Sequence, residues 1–158
     1  MRKQRILTIL LAVMLCITGL INWKVEAQAE AESTDVEMSD IMTEDALIGY
    51  AGSQTRGAYF SDGRSIINKI SATKIGAGGV TNANVKCKVT VTAIVERRNS
   101  SGSWERVTSW SVTNANAYTA MASKSLTVAS GYYYRVRSYH YASSDSATSH
   151  TDALWVGN

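Results

Sequence analysis

A chain of 158 residues holds one globular domain and, once an export segment is set aside, is too short for two. Its formal charge of +3 hides a division: residues 30–45 carry seven acids and no base, whereas residues 46–158 carry twelve Lys and Arg against five acids, a net of +7. That basic charge is spread over many segments instead of gathered into one stripe, which argues against a nucleic-acid interface.

The first segment has the three parts of a secretory signal peptide: basic Arg2, Lys3 and Arg5, an apolar run over residues 6–21, and an Ala27-Gln28-Ala29 cleavage site. Residues 1–29 are therefore expected to be removed. A run of 16 apolar residues is short for a spanning helix, so export is favoured over a retained anchor and no stable membrane insertion is expected after cleavage. Leu15 stands before Cys16 where a lipoprotein signal requires a small residue. Without Cys16 the exported chain has a single cysteine, Cys87, and no internal disulfide. An exported domain with no disulfide points to a bacterial source.

Residues 30–49 read as an acidic leader, poor in aromatics and mostly disordered, with a short helix over residues 35–46 as the alternative because Thr34-Asp35-Val36-Glu37 has the form of a capping box. Opposite charge suits this leader either to a solvated spacer or to a shield for the basic domain that follows.

From residue 50 onward, Ser, Thr, Ala, Val and Tyr dominate, punctuated by Gly and Asn at strand-length intervals. The expected strands are 57–60, 65–75, 85–97, 104–112, 118–128, 131–142 and 151–156, with breaks at 61–63, 76–84, 99–102, 114–116 and 143–148. The clearest is 85–97, where Val85, Cys87, Val89, Val91, Ala93 and Val95 alternate with Lys86, Lys88, Thr90, Thr92, Ile94 and Glu96. Cys87 falls on the apolar row and reads as a small buried hydrophobe. Alternation fails between Trp104 and Val107, which calls for a bulge near Arg106. In the last strand either Leu154 or Trp155 packs inward. The fold class is thus all-β, a single antiparallel sandwich of about seven strands over residues 50–158.

In GYYYRVRSYHYA, residues 131–142, side chains alternate between two faces. Tyr132, Tyr134, Val136, Ser138 and His140 form the row that enters the core, because burying two unpaired guanidinium groups would cost several kcal/mol or more. Tyr133, Arg135, Arg137, Tyr139 and Tyr141 therefore face outward. With Leu126 before it, this stretch resembles the sixth strand of fibronectin type III and wider immunoglobulin-like sandwiches: Leu126, Gly131, Tyr132, Tyr134, Val136 and Ser138 fit the spacing, although the turn VASG lacks proline. The resemblance implies a two-sheet sandwich with Tyr132 as the corner tyrosine. Together with the signal peptide and the Gly102-Ser103-Trp104 hairpin, the chain also resembles small exported proteins of Gram-positive bacteria that have no assigned role.

Motifs for catalysis are sparse. Asp62, Glu96, Glu105, Asp145 and Asp152 are scattered, and neither GxGxxG, GxxxxGK[ST] nor a nucleophile elbow occurs, so no catalytic residue, enzyme activity or cofactor is expected. His140 and His150, with Asp145 or Asp152, would be the material for a metal site across the last hairpin, but they lack HxH or HxxxH spacing and no metal is expected. The outward row Tyr133, Arg135, Arg137, Tyr139 and Tyr141 is the candidate ligand strip, since tyrosines stack on sugars or cations and arginines take phosphate or carboxylate in bidentate fashion; its bland counterpart is cross-strand packing. The expected function is a secreted, non-enzymatic binding module contacting a glycan or anionic wall polymer. The alternative is a released antibacterial or host-directed effector shielded by its acidic leader.

Overall fold

A computed structural model describes residues 32–52 and 57–158; the expected signal peptide lies outside them. The described residues form eight antiparallel strands and one helical turn: β1 (Ser33–Asp35), α1 (Met38–Ile41), β2 (Leu47–Tyr50), β3 (Phe60–Ser71), β4 (Lys74–Arg98), β5 (Trp104–Thr127), β6 (Tyr132–Ala142), β7 (Asp145–His150) and β8 (Leu154–Val156). No helix among them is long and apolar enough to cross a membrane.

The all-β, sandwich-like expectation holds, but its construction differs from seven separate strands. β4 and β5 form one long hairpin that runs through both layers. Residues 74–82 of β4 pair with β3 on one side and β5 on the other, and residues 89–97 pair with β6 on one side and β5 on the other. Register shifts between Asn82 and Cys87, and between Cys87 and Val89, mark where the hairpin bends from one layer to the next. The first layer is completed by β1 and β2 and the second by β7 and β8 on β6.

Three expected breaks are therefore strand, and the fourth, 143–148, is a turn only at residues 143–144 before β7 begins. Residues 76–84 belong to β4, because Gly76, Ala77, Gly78 and Gly79 are buried and pack on both faces, so small residues replace alternation. Residues 114–116 lie in β5 at the bend. Residues 61–63 also fall inside a strand, β3, next to an irregular register at Phe60 and Asp62. The turn at residues 99–102 is as expected: the Asn99 side-chain oxygen accepts from the Ser101 and Ser103 amides at 3.1 and 2.9 Å, and Gly102 has a φ of 84°. The expected bulge falls on Val107, since Glu96 pairs with Arg106 while Val95 pairs with Thr108.

Between the layers, Ile67, Ile75, Ala77, Ala93, Val95, Leu126, Tyr134, Val136 and Val156 form the main apolar core. Phe60, Val89, Val91, Ala120, Ala122 and Ala142 form its continuation past the bend, with Trp110 touching both. Cys87 is half-buried against that second cluster. Leu154 rather than Trp155 packs inward, and Val85, placed on the apolar row by its alternation, is exposed.

The corner tyrosine is also displaced. Tyr132 is exposed, and the hydroxyl that ties back to the preceding turn belongs to Tyr134, which donates to the Ala129 carbonyl at 2.8 Å. Tyr132 stands at the rim of the layers, 4.6 Å beneath the Arg97 guanidinium.

Over its described residues, 32–49, the acidic leader is ordered and not the mostly disordered segment expected. β1 pairs with residues 124–126 of β5, β2 pairs with residues 64–67 of β3, and α1 between them lies on the outer face of the first layer. Its anchor is Ile41, with no exposed surface, packed with Ile66 and Val80. A Cβ at Gly78 would come within 2.7 Å of Ile41 Cδ1, so the glycine makes the trough that admits this side chain. Scattered apolar residues at 36, 38, 41, 46 and 48 thus supply a third core cluster that no periodicity announces. Ile41→Ala is expected to destabilise the protein by about 2–5 kcal/mol, read from the urea unfolding midpoint, because the cavity lies in a trough that cannot collapse.

Candidate functional site

The five strip residues all lie on the outer face of β6, as alternation requires, with Tyr134, Val136, Ser138 and His140 buried on the other. The register of β6 against β4 places Arg135 opposite Glu96, Arg137 opposite Ile94, Tyr139 opposite Thr92 and Tyr141 opposite Thr90. Glu96 shares the face and is only 4% exposed. Its two carboxylate oxygens are divided between the arginines: Arg135 Nε donates to Oε2 at 2.7 Å and Arg137 Nη2 lies 2.8 Å from Oε1. One carboxylate against two guanidinium groups leaves a local charge of +1.

Rings extend the row at both ends. Arg135 lies 4.3 Å over the Trp104 ring and Arg137 5.4 Å over Tyr139, so each cation is held between an anion and a π-face. Tyr133 packs against Trp155 at 5.0 Å with planes inclined by 59°. Tyr133, Tyr141 and Trp155 remain 44%, 45% and 43% exposed. The strip is therefore brought together, but Glu96, Trp104 and Trp155 belong to it as much as the five residues read from β6. Glu96 was visible on the outward row of its own strand; only the pairing register shows that it meets both arginines. Beside it, Arg97 is bound through its guanidinium to Glu105, which raises its pKa further.

The material for a metal site is not assembled. His140 points inward and is fully buried, whereas His150 is exposed and pairs with Arg137 across the β6–β7 ladder. The Asp145 carboxylate instead accepts the Phe60 and Tyr59 amides at 3.0 and 2.7 Å, hydrogen bonds that lower its pKa. Among the described residues no three His, Cys, Asp or Glu side chains are grouped to hold an ion.

A family model described as a family of unknown function (DUF6147) matches residues 29–155. The chain belongs to that family. No curated protein and no solved structure matches it. The DUF6147 span takes in β1, α1 and β2 together with the larger strands, in keeping with a leader that is part of the folded unit.

Inside this DUF6147 domain lies a polar chain that the sequence did not announce. His140 Nδ1 is 2.8 Å from Thr81 Oγ1 and its Nε2 is 2.8 Å from Ser149 Oγ; Ser149 reaches Ser65 at 2.7 Å, and Ser65 donates to Ser138 at 2.8 Å. All five side chains are buried, joining β3, β4, β6 and β7 across the layers. Gly63 lies directly against the imidazole, where a Cβ would come within 2.6 Å of the ring. Thr81 to His140, and Ser65 to Ser138 and Ser149, are the contacts that cross between the layers; closed off from solvent, they work as an interlayer clasp.

Burial lowers the His140 pKa to about 4, partly offset by the Asp62 carboxylate. The unfolded chain takes up this proton below pH 6.5 and the folded one only near 4, so the stabilisation is complete above 6.5 and is lost as pH falls between those values. A loss of roughly 3 kcal/mol over that window is expected from the shift. Urea midpoints of the protein and of His140→Asn between pH 7 and 4 separate this component from carboxylate titration: the variant lacks it. For the strip, Glu96→Ala leaves two partly exposed guanidinium groups without their anion and is expected to cost about 2 kcal/mol, below the value for a fully buried pair because solvent screens both arginines; the urea midpoint at pH 7 measures it.

Proposed function

We propose that this chain is a secreted, non-enzymatic binding module of a Gram-positive bacterium, with a fibronectin type III-like sandwich as scaffold, and that the outer face of its second layer takes a glycan or anionic wall polymer. The observation that carries the reading is the row Trp104, Arg135, Glu96, Arg137 and Tyr139. One buried carboxylate holds both guanidinium groups in place, and each retains N–H groups that Glu96 does not use. Open rings at Tyr133, Trp155 and Tyr141 flank them, suited to stacking on sugar faces. The N-terminal signal supports an extracellular location, where such polymers occur.

A released effector shielded by its acidic leader has less support. The leader lies on the first layer, where Asp35 is 3.4 Å from Lys124. The described ion pairs of Arg135 and Arg137 are both with Glu96, not with a leader acid.

Protein lacking residues 1–29 is expected to be retained on purified wall polymer or acidic polysaccharide and released by salt, because exposed charge pairs are screened within about 10 Å at 0.1 M ionic strength. Arg137→Ala combined with Tyr139→Ala should weaken binding about tenfold or more, roughly 1.4 kcal/mol, with an unchanged circular-dichroism spectrum. Equal retention of the variant and the parent would remove the strip from the proposal.

A further inference from the structure

The edges of this fold are treated unequally. β2, β7 and β8 are short, and β1 covers β5 at residues 124–126. Before that point β5 is an edge: over residues 108–122 its ladder partners lie in β4 alone among the described residues. Residues 108–123 contain no charged residue, no proline and no glycine. An edge strand of that kind lacks the devices that ordinarily keep a sheet from growing: a lysine, a proline, an inward charge or a covering strand. Its first part, residues 108–113, pairs one-for-one with β4 before the bend disturbs the register.

We propose that residues 109–113 of β5 pair antiparallel, centred on Ser111, with the same residues of a second copy, forming a two-fold dimer whose second layers make one continuous sheet. Two observations select a copy of this chain. The segment is uncharged within a domain whose residues 46–158 carry a net +7, so on pairing with itself it brings no like charges opposite one another, and an acidic or basic partner strand would find no counter-charge there. Its outward hydroxyls already form a ladder with β4, Ser111 to Thr92 at 2.7 Å and Thr113 to Thr90 at 2.8 Å, and a copy running antiparallel sets Ser109, Ser111 and Thr113 against the same residue types, repeating that ladder across the seam. A two-fold axis normal to the sheet closes the pair, uses the same surface on both chains and leaves the Tyr/Arg strips of both copies on one side.

Sedimentation of protein lacking residues 1–29 over a wide concentration range is expected to show a monomer–dimer equilibrium. Ser111→Lys with Thr113→Lys, which places charge at the seam from exposed positions, should leave a monomer at every concentration tested. Hydrogen exchange provides the second measurement: the amides of residues 109–113 that point away from β4 should slow with rising concentration in the parent, and not in the lysine variant. If the variant is misfolded, the parent's concentration-dependent protection still decides. A parent that is monomeric throughout, a dimer that persists in a folded lysine variant, or protection independent of concentration, which would assign the edge to another segment of this chain, overturns the proposal.

Discussion

The pairing of β4 with β5 along nearly their whole length is the constraint from which the rest of the structure follows. β4 has two edges; β5 takes one throughout, and the other is divided between β3 before the bend and β6 after it. The two layers are consequently two halves of one hairpin, and the irregular register between Asn82 and Val89 is what lets the backbone turn from one to the other without ending. A slip of one residue in this ladder would exchange Val91, Ala93 and Val95 for Thr92, Ile94 and Glu96 on the inner face, and Glu96 would lose both arginines. Core and strip are therefore fixed by the same register.

The interior is not uniform. At one end Tyr134, Val136, Ile67 and Leu126 exclude water by apolar packing, whereas toward the other end Thr81, His140, Ser149, Ser65 and Ser138 meet across the layers. Apolar contacts tolerate small shifts of one layer over the other. A chain of hydroxyls and an imidazole does not, because each buried group left without its partner costs about 1–3 kcal/mol. The glycine at position 63 belongs to this arrangement, since the imidazole occupies the space in which any larger side chain would sit. The clasp thus selects one alignment of the layers, at the expense of stability in acid.

Much of this was legible in the residues. The alternation in β6 gave both of its faces, and the valines of β4 gave the core row beyond the bend, because each strand there has one apolar and one polar face. The first layer was harder to read for a physical reason: it is covered on both sides, by the second layer within and by α1 without, so Gly76, Ala77, Gly78 and Gly79 show small size in place of a period and look like a break. The leader misled in a related way. Its acids point to solvent and set its composition, while one residue in several, Ile41 foremost, makes the contacts that order it. Tyr132 and Tyr134 share a face, and only the path of the preceding turn decides which hydroxyl meets the Ala129 carbonyl. The partners of the strip, Glu96, Trp104 and Trp155, come from other strands and depend on register, which no local pattern encodes.

The strip combines two kinds of ring. Trp104 and Tyr139 are covered by guanidinium groups, and what they contribute is the positioning of Arg135 and Arg137. Tyr133, Tyr141 and Trp155 are the open ones. Because Glu96 and the covered rings already restrict both arginines, an arriving anion has less side-chain freedom to remove, which lowers the entropic cost of association. Tyr133 and Tyr141 stand eight residues apart on one strand, about 26 Å at the usual rise. A single sugar or phosphate reaches one end or the centre; a ligand that uses both open ends and the fixed cations between them must itself be extended, and this is the physical reason a polymer fits the face better than a small molecule.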